Sequence, residues 1–161
     1  IMTATFRKLA LSAIFAVSTV GTLTMTSCTK DEPLVCTTGL TGSDCKTEVR
    51  ASYYNSYKGS GSDNTGNTYT DWTAKFTALG TDPTKMNMQL LNDKLASMEA
   101  LTVTLTSNTA FNIDSKTSGN STFSGTGTID ASKVTLSITE KETLSGITTT
   151  YIITFNNMVK Q

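Results

Sequence analysis

The sequence contains no histidine, only two prolines and one tryptophan, and just 16% charged residues. The absence of histidine removes the commonest general base and the commonest protein metal ligand. Its 13 basic and 13 acidic side chains cancel, so no basic excess is available to neutralise a nucleic-acid backbone. A chain of 161 residues fits one domain with appendages. These shortages favour an extracytoplasmic β domain that does not bind nucleic acid.

Catalytic groups are equally scarce. Serine and threonine are abundant, but without a neighbouring base their hydroxyls are inert. Glu140 and Glu142 share one face of a predicted strand and are interpreted as a solvated strand tip. Asp63 is the single carboxylate of a polar loop and is interpreted as turn-forming rather than calcium-binding. We therefore predict no catalytic residues, no metal and no cofactor.

The first segment has the pattern of an export signal. Arg7 and Lys8 precede an apolar run over residues 9–25 that is diluted by serine, threonine and glycine. A bilayer span needs roughly 20 predominantly apolar residues, so this run is a poor permanent span. A positive start, an apolar middle and a small-residue end are typical of a secretory signal. We predict a signal peptide over residues 1–27.

The end of this signal resembles a bacterial lipobox. Met25, Thr26 and Ser27 precede Cys28, which is the arrangement of an apolar residue and two small ones before the lipidated cysteine. The resemblance implies that acyl chains on Cys28 anchor the mature protein to a membrane, since two or more chains bind stably. The alternative is an ordinary secretory signal in which the cysteine falls at this place by chance.

Three charged residues follow at once. Lys30, Asp31 and Glu32 resemble the lysine-plus-two-acids signal that sends lipoproteins of Bacteroidota to the outer leaflet of the outer membrane. The resemblance implies a lipid-anchored protein at the outer membrane, facing the cell exterior. The alternative is a solvated charge cluster at the start of a tether over residues 28–47.

With Cys28 assigned to lipid, Cys36 and Cys45 remain as a pair. Exported proteins reside in an oxidising compartment, so we expect a disulfide between them. Their spacing, with Gly39 and Gly42 between them, resembles the last disulfide loop of an EGF-like module whose other cysteines are missing. The resemblance implies a truncated EGF-like loop acting as a stiff spacer, with no calcium site carried over.

Residues 48–161 show strand periodicity throughout. Apolar side chains recur at every second position, with threonine on the opposite face, which is typical of strands with one buried side. Such segments begin at Trp72, Met86, Leu101, Phe111, Phe123, Val134 and Tyr151. Together with an opening strand over residues 50–58, they predict about eight strands. Short connections with turn chemistry make sequential strands antiparallel neighbours.

Two all-β architectures fit this pattern. Closure into an up-and-down antiparallel barrel removes both sheet edges, whereas a β-sandwich requires a long crossover that the spacing does not show. The barrel is therefore favoured and the sandwich is the alternative. The order of signal, cysteine, small loop and threonine-rich strands, with the run at residues 123–128, is similar to Bacteroidota surface lipoproteins that end in a lipocalin-like barrel.

The sequence predicts binding or scaffolding at a cell surface and leaves two further possibilities open. The inward residues are expected to be wholly apolar, so they either fill the barrel or surround one small apolar ligand. The candidate pocket residues are Trp72, Phe76, Met88, Phe111 and Phe123.

The second possibility is contact with a glycan or a protein partner through surface aromatics. The candidate residues cluster near the first turn: Tyr53, Tyr54, Tyr57 and Tyr69. Tyr53 and Tyr57 would share one strand face while Tyr54 takes the other. At least one of the three is therefore expected in the core.

Overall fold

The chain is described by a computed structural model that covers residues 34–92 and 100–161. The predicted signal peptide, Cys28 and the charged triplet Lys30, Asp31 and Glu32 lie outside the described residues. Within these two ranges, no helix has both the length and the apolar character needed to cross a bilayer.

The described chain starts with a small disulfide-closed loop. Cys36 and Cys45 are bonded, with their Cα atoms 5.2 Å apart, which confirms the predicted disulfide. Around it, β1 (Leu40–Thr41) pairs antiparallel with β2 (Thr47–Glu48). A 3₁₀ helix, Val49–Tyr53, then leads into the main sheet.

Eight further strands form one closed barrel. They are β3 (Ser56–Asp63), β4 (Thr68–Ala78), β5 (Lys85–Asn92), β6 (Leu101–Leu105), β7 (Ala110–Ser118), β8 (Ser121–Ile129), β9 (Lys133–Leu144) and β10 (Ile147–Lys160). Each strand pairs antiparallel with the next, and β10 closes the ring on β3. The predicted up-and-down barrel is confirmed, and the β-sandwich alternative is wrong.

The two ends of the barrel differ. We call the base the end that carries the β4–β5, β6–β7 and β8–β9 connections. The mouth is the opposite end, with the β3–β4, β7–β8 and β9–β10 connections. β9 and β10 contain 12 and 14 residues while β6 contains five, and β10 begins six residues before Ile153, its first residue paired with β3. The β9–β10 hairpin therefore extends past β3 at the mouth.

Alternating apolar side chains fill the barrel interior. The largest fully buried ones include Tyr57, Phe76, Phe111, Phe155, Met86, Met88 and Leu136. Glycines on inward positions make room for two of these rings. A Cβ on Gly127 would lie 2.3 Å from Cζ of Phe111, and one on Gly61 would lie 2.7 Å from Cδ1 of Phe155. Large side chains therefore pack over glycines, as close-packed interiors require.

The opening strand begins later than predicted, because the 3₁₀ helix occupies residues that were assigned to it. Arg50 is 4% exposed, and its Nη1 donates to the carbonyl oxygens of Leu79 and Lys85 at 3.0 and 2.7 Å. Its Nη2 donates to Gly80 at 3.1 Å and its Nε to Glu48 Oε2 at 2.8 Å. We call this set of bonds made by Arg50 the arginine staple. It holds the 3₁₀ helix at the base, and the strand therefore starts only at Ser56.

The disulfide loop packs on the base as well. The Gly39 amide donates to Asn108 Oδ1 at 3.0 Å, and the Val49 amide donates to the Gly39 carbonyl at 2.9 Å. Gly39 has a φ of +88°, and a Cβ there would lie 2.7 Å from the Pro83 carbonyl oxygen, so only glycine fits this contact. The predicted spacer therefore contacts the barrel directly over its described residues.

Candidate functional site

The predicted apolar pocket belongs mostly to the packed core. Its residues have exposed fractions of 8% for Trp72, 1% for Phe76, 0% for Met88 and 1% for Phe111, and Phe123 is half-buried. The Phe76 ring packs edge-on against Tyr57 and Phe111, with centroids 5.8 and 5.7 Å apart. Rings in such contact fill the space that an apolar ligand would need.

The four candidate tyrosines do not form one surface patch. Tyr53 and Tyr57 are 5% and 0% exposed, so the prediction of surface contact is wrong for both. Tyr54 is half-buried at the base, whereas Tyr69 is half-buried near the mouth. Tyr53 ends the 3₁₀ helix and Tyr57 lies on β3, and both enter the core, which confirms the expectation that at least one of the three tyrosines near the first strand is buried.

The mouth instead presents a row of mixed side chains on its inner face. Phe123 on β8 lies opposite Lys116 on β7 and Glu140 on β9, and Glu140 lies opposite Tyr151 on β10. All four are half-buried. They face inward because Ile138, two residues before Glu140 on an unbroken strand, is 1% exposed and side chains alternate along a strand. A ring, a carboxylate and a second ring therefore stand side by side above the core.

A β-bulge gives Lys116 its place in this row. The register between β7 and β8 shifts between Ile113 and Lys116, and such a shift re-aims the side chains beyond it. Unbroken alternation from Ile113 would have put Ser115 on the inner face. The Lys116 ammonium donates to the Ala100 carbonyl oxygen at 2.9 Å, so its charge is directed toward the start of β6.

The carboxylates of β9 also differ from the prediction. Ser121 Oγ donates to Glu140 Oε1 at 2.7 Å, and Glu142 is half-buried on the same face of the strand. The interpretation of this pair as a solvated tip is wrong for Glu140, as is the expectation of a wholly apolar inward set. The length of the β9–β10 hairpin explains the difference, because the inward face continues beyond the apolar core.

Asp63 organises the turn beside the mouth. It is 8% exposed, and its carboxylate accepts hydrogen bonds from the amide and hydroxyl of Thr65, the amide and Nδ2 of Asn67, and the Tyr69 hydroxyl. The Thr65 hydroxyl contributes most to lowering the pKa of Asp63 well below its usual range. These contacts confirm the turn-forming interpretation.

An aromatic group links this turn to the core. The Tyr69 ring lies 6.1 Å from both Trp72 and Phe155, measured between centroids. Burial, and then the hydrogen bond to Asp63, raise the pKa of Tyr69 to about 12. Trp72 therefore lies directly beneath a half-exposed mouth residue and can report on ligands there by fluorescence.

An open pocket of about 620 Å³ lies at the base. Its lining includes Tyr54, Lys75 and Gln161. The Tyr54 hydroxyl is buried without a hydrogen-bond partner, but it is shut off from solvent, so a ligand in this pocket cannot bond it without displacing the ring. The lining also includes Asn55, Ser56 and Thr77 but no carboxylate, whereas the mouth presents Glu140 and Glu142.

The mouth carboxylates are not arranged as a metal centre. Within the two described ranges, no group of three or more histidine, cysteine, aspartate or glutamate residues is assembled to hold an ion. Among the described residues, Glu140 and Glu142 are available instead to hydrogen-bonded or ion-paired organic groups.

Comparison with known proteins places no further constraint on the site. No protein-family model matches the chain, and no curated protein or solved structure matches it. Because fold by itself does not specify function, the assignment depends on the chemistry of the mouth.

Proposed function

We propose that this chain is an exported lipoprotein, anchored through an acylated Cys28, whose barrel is a non-catalytic binding module. The observation that carries the binding proposal is the half-buried row of Phe123, Glu140 and Tyr151 on the inner face of the mouth. A few polar groups converging beside apolar surface are typical of small-molecule sites.

The mouth polar groups support binding over a purely structural role. Glu140 accepts one hydrogen bond, from Ser121. Among the described residues, the Glu142 carboxylate and the Tyr151 hydroxyl have no hydrogen-bond partner. Neither group is shut off from water, because the Tyr54 hydroxyl is the only buried side-chain polar atom without a partner among the described residues. Groups left to solvent on a concave face are available to a ligand.

The path of the chain supports display of the mouth away from the membrane. The disulfide loop packs on the base, and Leu34 is six positions after Cys28. The described chain therefore enters the barrel at the end opposite the mouth, and display of the mouth away from the membrane is part of the proposal. The export signal that Lys30, Asp31 and Glu32 resemble would place this assembly on the cell exterior.

The structure does not support the two alternative functions equally. A carrier of an apolar ligand within the barrel loses support, since Phe76, Met88 and Phe111 are packed against one another or their neighbours. Contact with a glycan or a protein remains the second candidate, because the half-buried rings of Tyr69 and Tyr151 lie at the same open end.

A ligand screen tests the binding proposal. The full chain in a non-ionic detergent is titrated with amines, oligosaccharides, peptides and fatty acids while Trp72 fluorescence and amide chemical shifts are recorded. We expect a ligand that shifts mouth residues and whose binding is lost in Tyr151→Ala. Tyr54→Ala, a matched change at the base, should leave binding unchanged. Shifts centred on the base would contradict the proposal.

Mass spectrometry tests the proposed anchor. The mature protein isolated from membranes should begin at Cys28 and carry the added mass of its acyl chains. Replacing Cys28 with Ser should release the protein from the membrane fraction. A free, unacylated mature chain would contradict the lipoprotein assignment while leaving the mouth to be tested separately.

A further inference from the structure

We infer that the ligand of the mouth is an organic cation with an apolar body, its ammonium group held by Glu140 between the rings of Phe123 and Tyr151. This inference rests on the proposed binding function and names the ligand class for the same site. The ring–carboxylate–ring order across three adjacent strands is its principal support.

The spacing of the row suits a cation. Residues directly opposite on neighbouring antiparallel strands have Cβ atoms about 4.5–5.5 Å apart, so Glu140 has one aromatic neighbour on each side. A cation within about 6 Å of a ring centroid is attracted by the electron-rich face. An ammonium group in ion-pair contact with the Glu140 carboxylate would therefore lie within reach of both rings.

The charge on the inner face favours the same ligand. Glu140 and Glu142 make no ion pair among the described residues, and the Lys116 ammonium is directed to the Ala100 carbonyl. Asp63 is already occupied by its own turn. Two carboxylates against the one ammonium of Lys116 leave the described inner face of the mouth with a net negative charge, which favours a cation over an anionic ligand such as a fatty acid.

The floor below the row is apolar. Ile138 and Ile153 lie opposite each other one step toward the core, and Ile153 is half-buried. A hydrocarbon or aromatic body attached to the ammonium group would cover this surface, at roughly 25 cal/mol per Å² of apolar area removed from water. A sugar would leave both carboxylates without a counter-charge as water is displaced, which makes it the weaker fit.

A pair of isosteric probes tests the charge requirement. Choline and its uncharged analogue 3,3-dimethylbutan-1-ol have nearly the same shape, and both are titrated into the full chain in non-ionic detergent by calorimetry and by NMR. We expect choline to bind at least about tenfold more tightly, with shifts at mouth residues. Equal affinity for the two probes would overturn the inference.

Matched variants test the assigned residues. Glu140→Gln should weaken choline binding at least about tenfold, whereas Asp71→Asn, which removes a 71% exposed carboxylate from β4, should not change it. Tyr151→Phe keeps the ring and should retain binding, but Tyr151→Leu should lose it. If Glu140→Gln does not fold, the comparison of Phe with Leu at position 151 decides.

The outcomes separate this inference from the function on which it rests. If a sugar or a peptide shifts the mouth residues and choline does not, the mouth is a binding site and the cation assignment is wrong. If no ligand's binding responds to substitution of Glu140 or Tyr151 in folded protein, both proposals are overturned.

Discussion

The base and the mouth use the same eight strands in opposite ways. At the base, Arg50 is bonded to three carbonyl oxygens and one carboxylate, and the disulfide loop packs on the turns. At the mouth, Glu140 and Tyr151 are half-buried, and the side-chain hydrogen bonds of the described residues include one to Glu140, from Ser121, and none to the Tyr151 hydroxyl. Side-chain bonds between distant segments thus tie the base together, whereas the bonds that Asp63 accepts near the mouth stay within its own turn. This difference leaves part of the mouth free for recognition, as is usual for sites placed on a rigid scaffold.

Strand length produces this asymmetry. The β9–β10 hairpin extends past its neighbours, so β10 pairs with β3 only from Ile153 onward. Asn64 covers the first open edge position. Its Oδ1 accepts from the Ile152 amide at 2.9 Å, and its backbone amide donates to the Ile152 carbonyl oxygen at 3.2 Å. A side chain that occupies an exposed strand edge prevents pairing with other chains. The hairpin can therefore project without inviting aggregation at this position.

Two phenylalanines on neighbouring strands provide the sharpest test of the comparison. Phe111 is 1% exposed, so Phe111→Ala should lower the free energy of unfolding by about 3–5 kcal/mol. Phe123 is half-buried at the mouth, and Phe123→Ala should cost about 1 kcal/mol. Urea denaturation measures both. Equal losses would show that the mouth is packed as tightly as the base.

The arginine staple gives the next largest effect. Arg50→Ala leaves three carbonyl oxygens at the base without their donor and should lower the free energy of unfolding by about 3 kcal/mol. Lys46→Ala, an exposed cation in the nearby loop, should change it by less than about 0.5 kcal/mol. If Arg50→Ala lowers the free energy of unfolding no more than Lys46→Ala does, water replaces the hydrogen bonds of Arg50 without cost.

The barrel itself was predictable from the sequence. Burial on one side of each strand forces the period-two alternation seen from Trp72 onward, and short turns force antiparallel neighbours. Gly125 and Gly127, two and four positions after Phe123, fall on the inner face by the same alternation and make room there for large neighbours. Local pattern and tertiary burial agree over most of the chain, which is why the prediction succeeded.

The mouth was only partly predictable. The alternation Val134, Leu136, Ile138 continues to Glu140, so strict parity already indicated an inward carboxylate, and the assumption of a solvated end obscured it. The inward position of Lys116 could not be predicted, because the bulge that shifts the register before it has no distinct sequence signal here. The long-range bonds of Arg50, to residues 29–35 positions away, likewise leave no local pattern.

Removing the disulfide tests whether the base can be weakened without affecting the mouth. The Cys36→Ser, Cys45→Ser double variant opens a loop with a sequence separation of 9 and should lower the free energy of unfolding by about 2–3 kcal/mol on the chain-entropy account. Ligand binding at the mouth should be unchanged. Loss of binding in folded variant protein would show that the two ends are coupled.

Acid titration gives the smallest effect, and it compares the same kind of aspartate-centred turn at the two ends of the barrel. Asp63 near the mouth and Asp82 at the base each accept the amide and hydroxyl of the residue two positions on, and hydrogen bonds led by those of Thr65 and Thr84 lower both pKa values. A lowered folded-state pKa stabilises the protein above the unfolded value of about 3.9. That stability is lost as the pH falls through the folded-state pKa. Because Asp63 accepts three further bonds, Asp63→Asn should flatten the fall in melting temperature between about pH 5 and pH 2 more than Asp82→Asn does. The reverse order would place the acid-sensitive contact at the base.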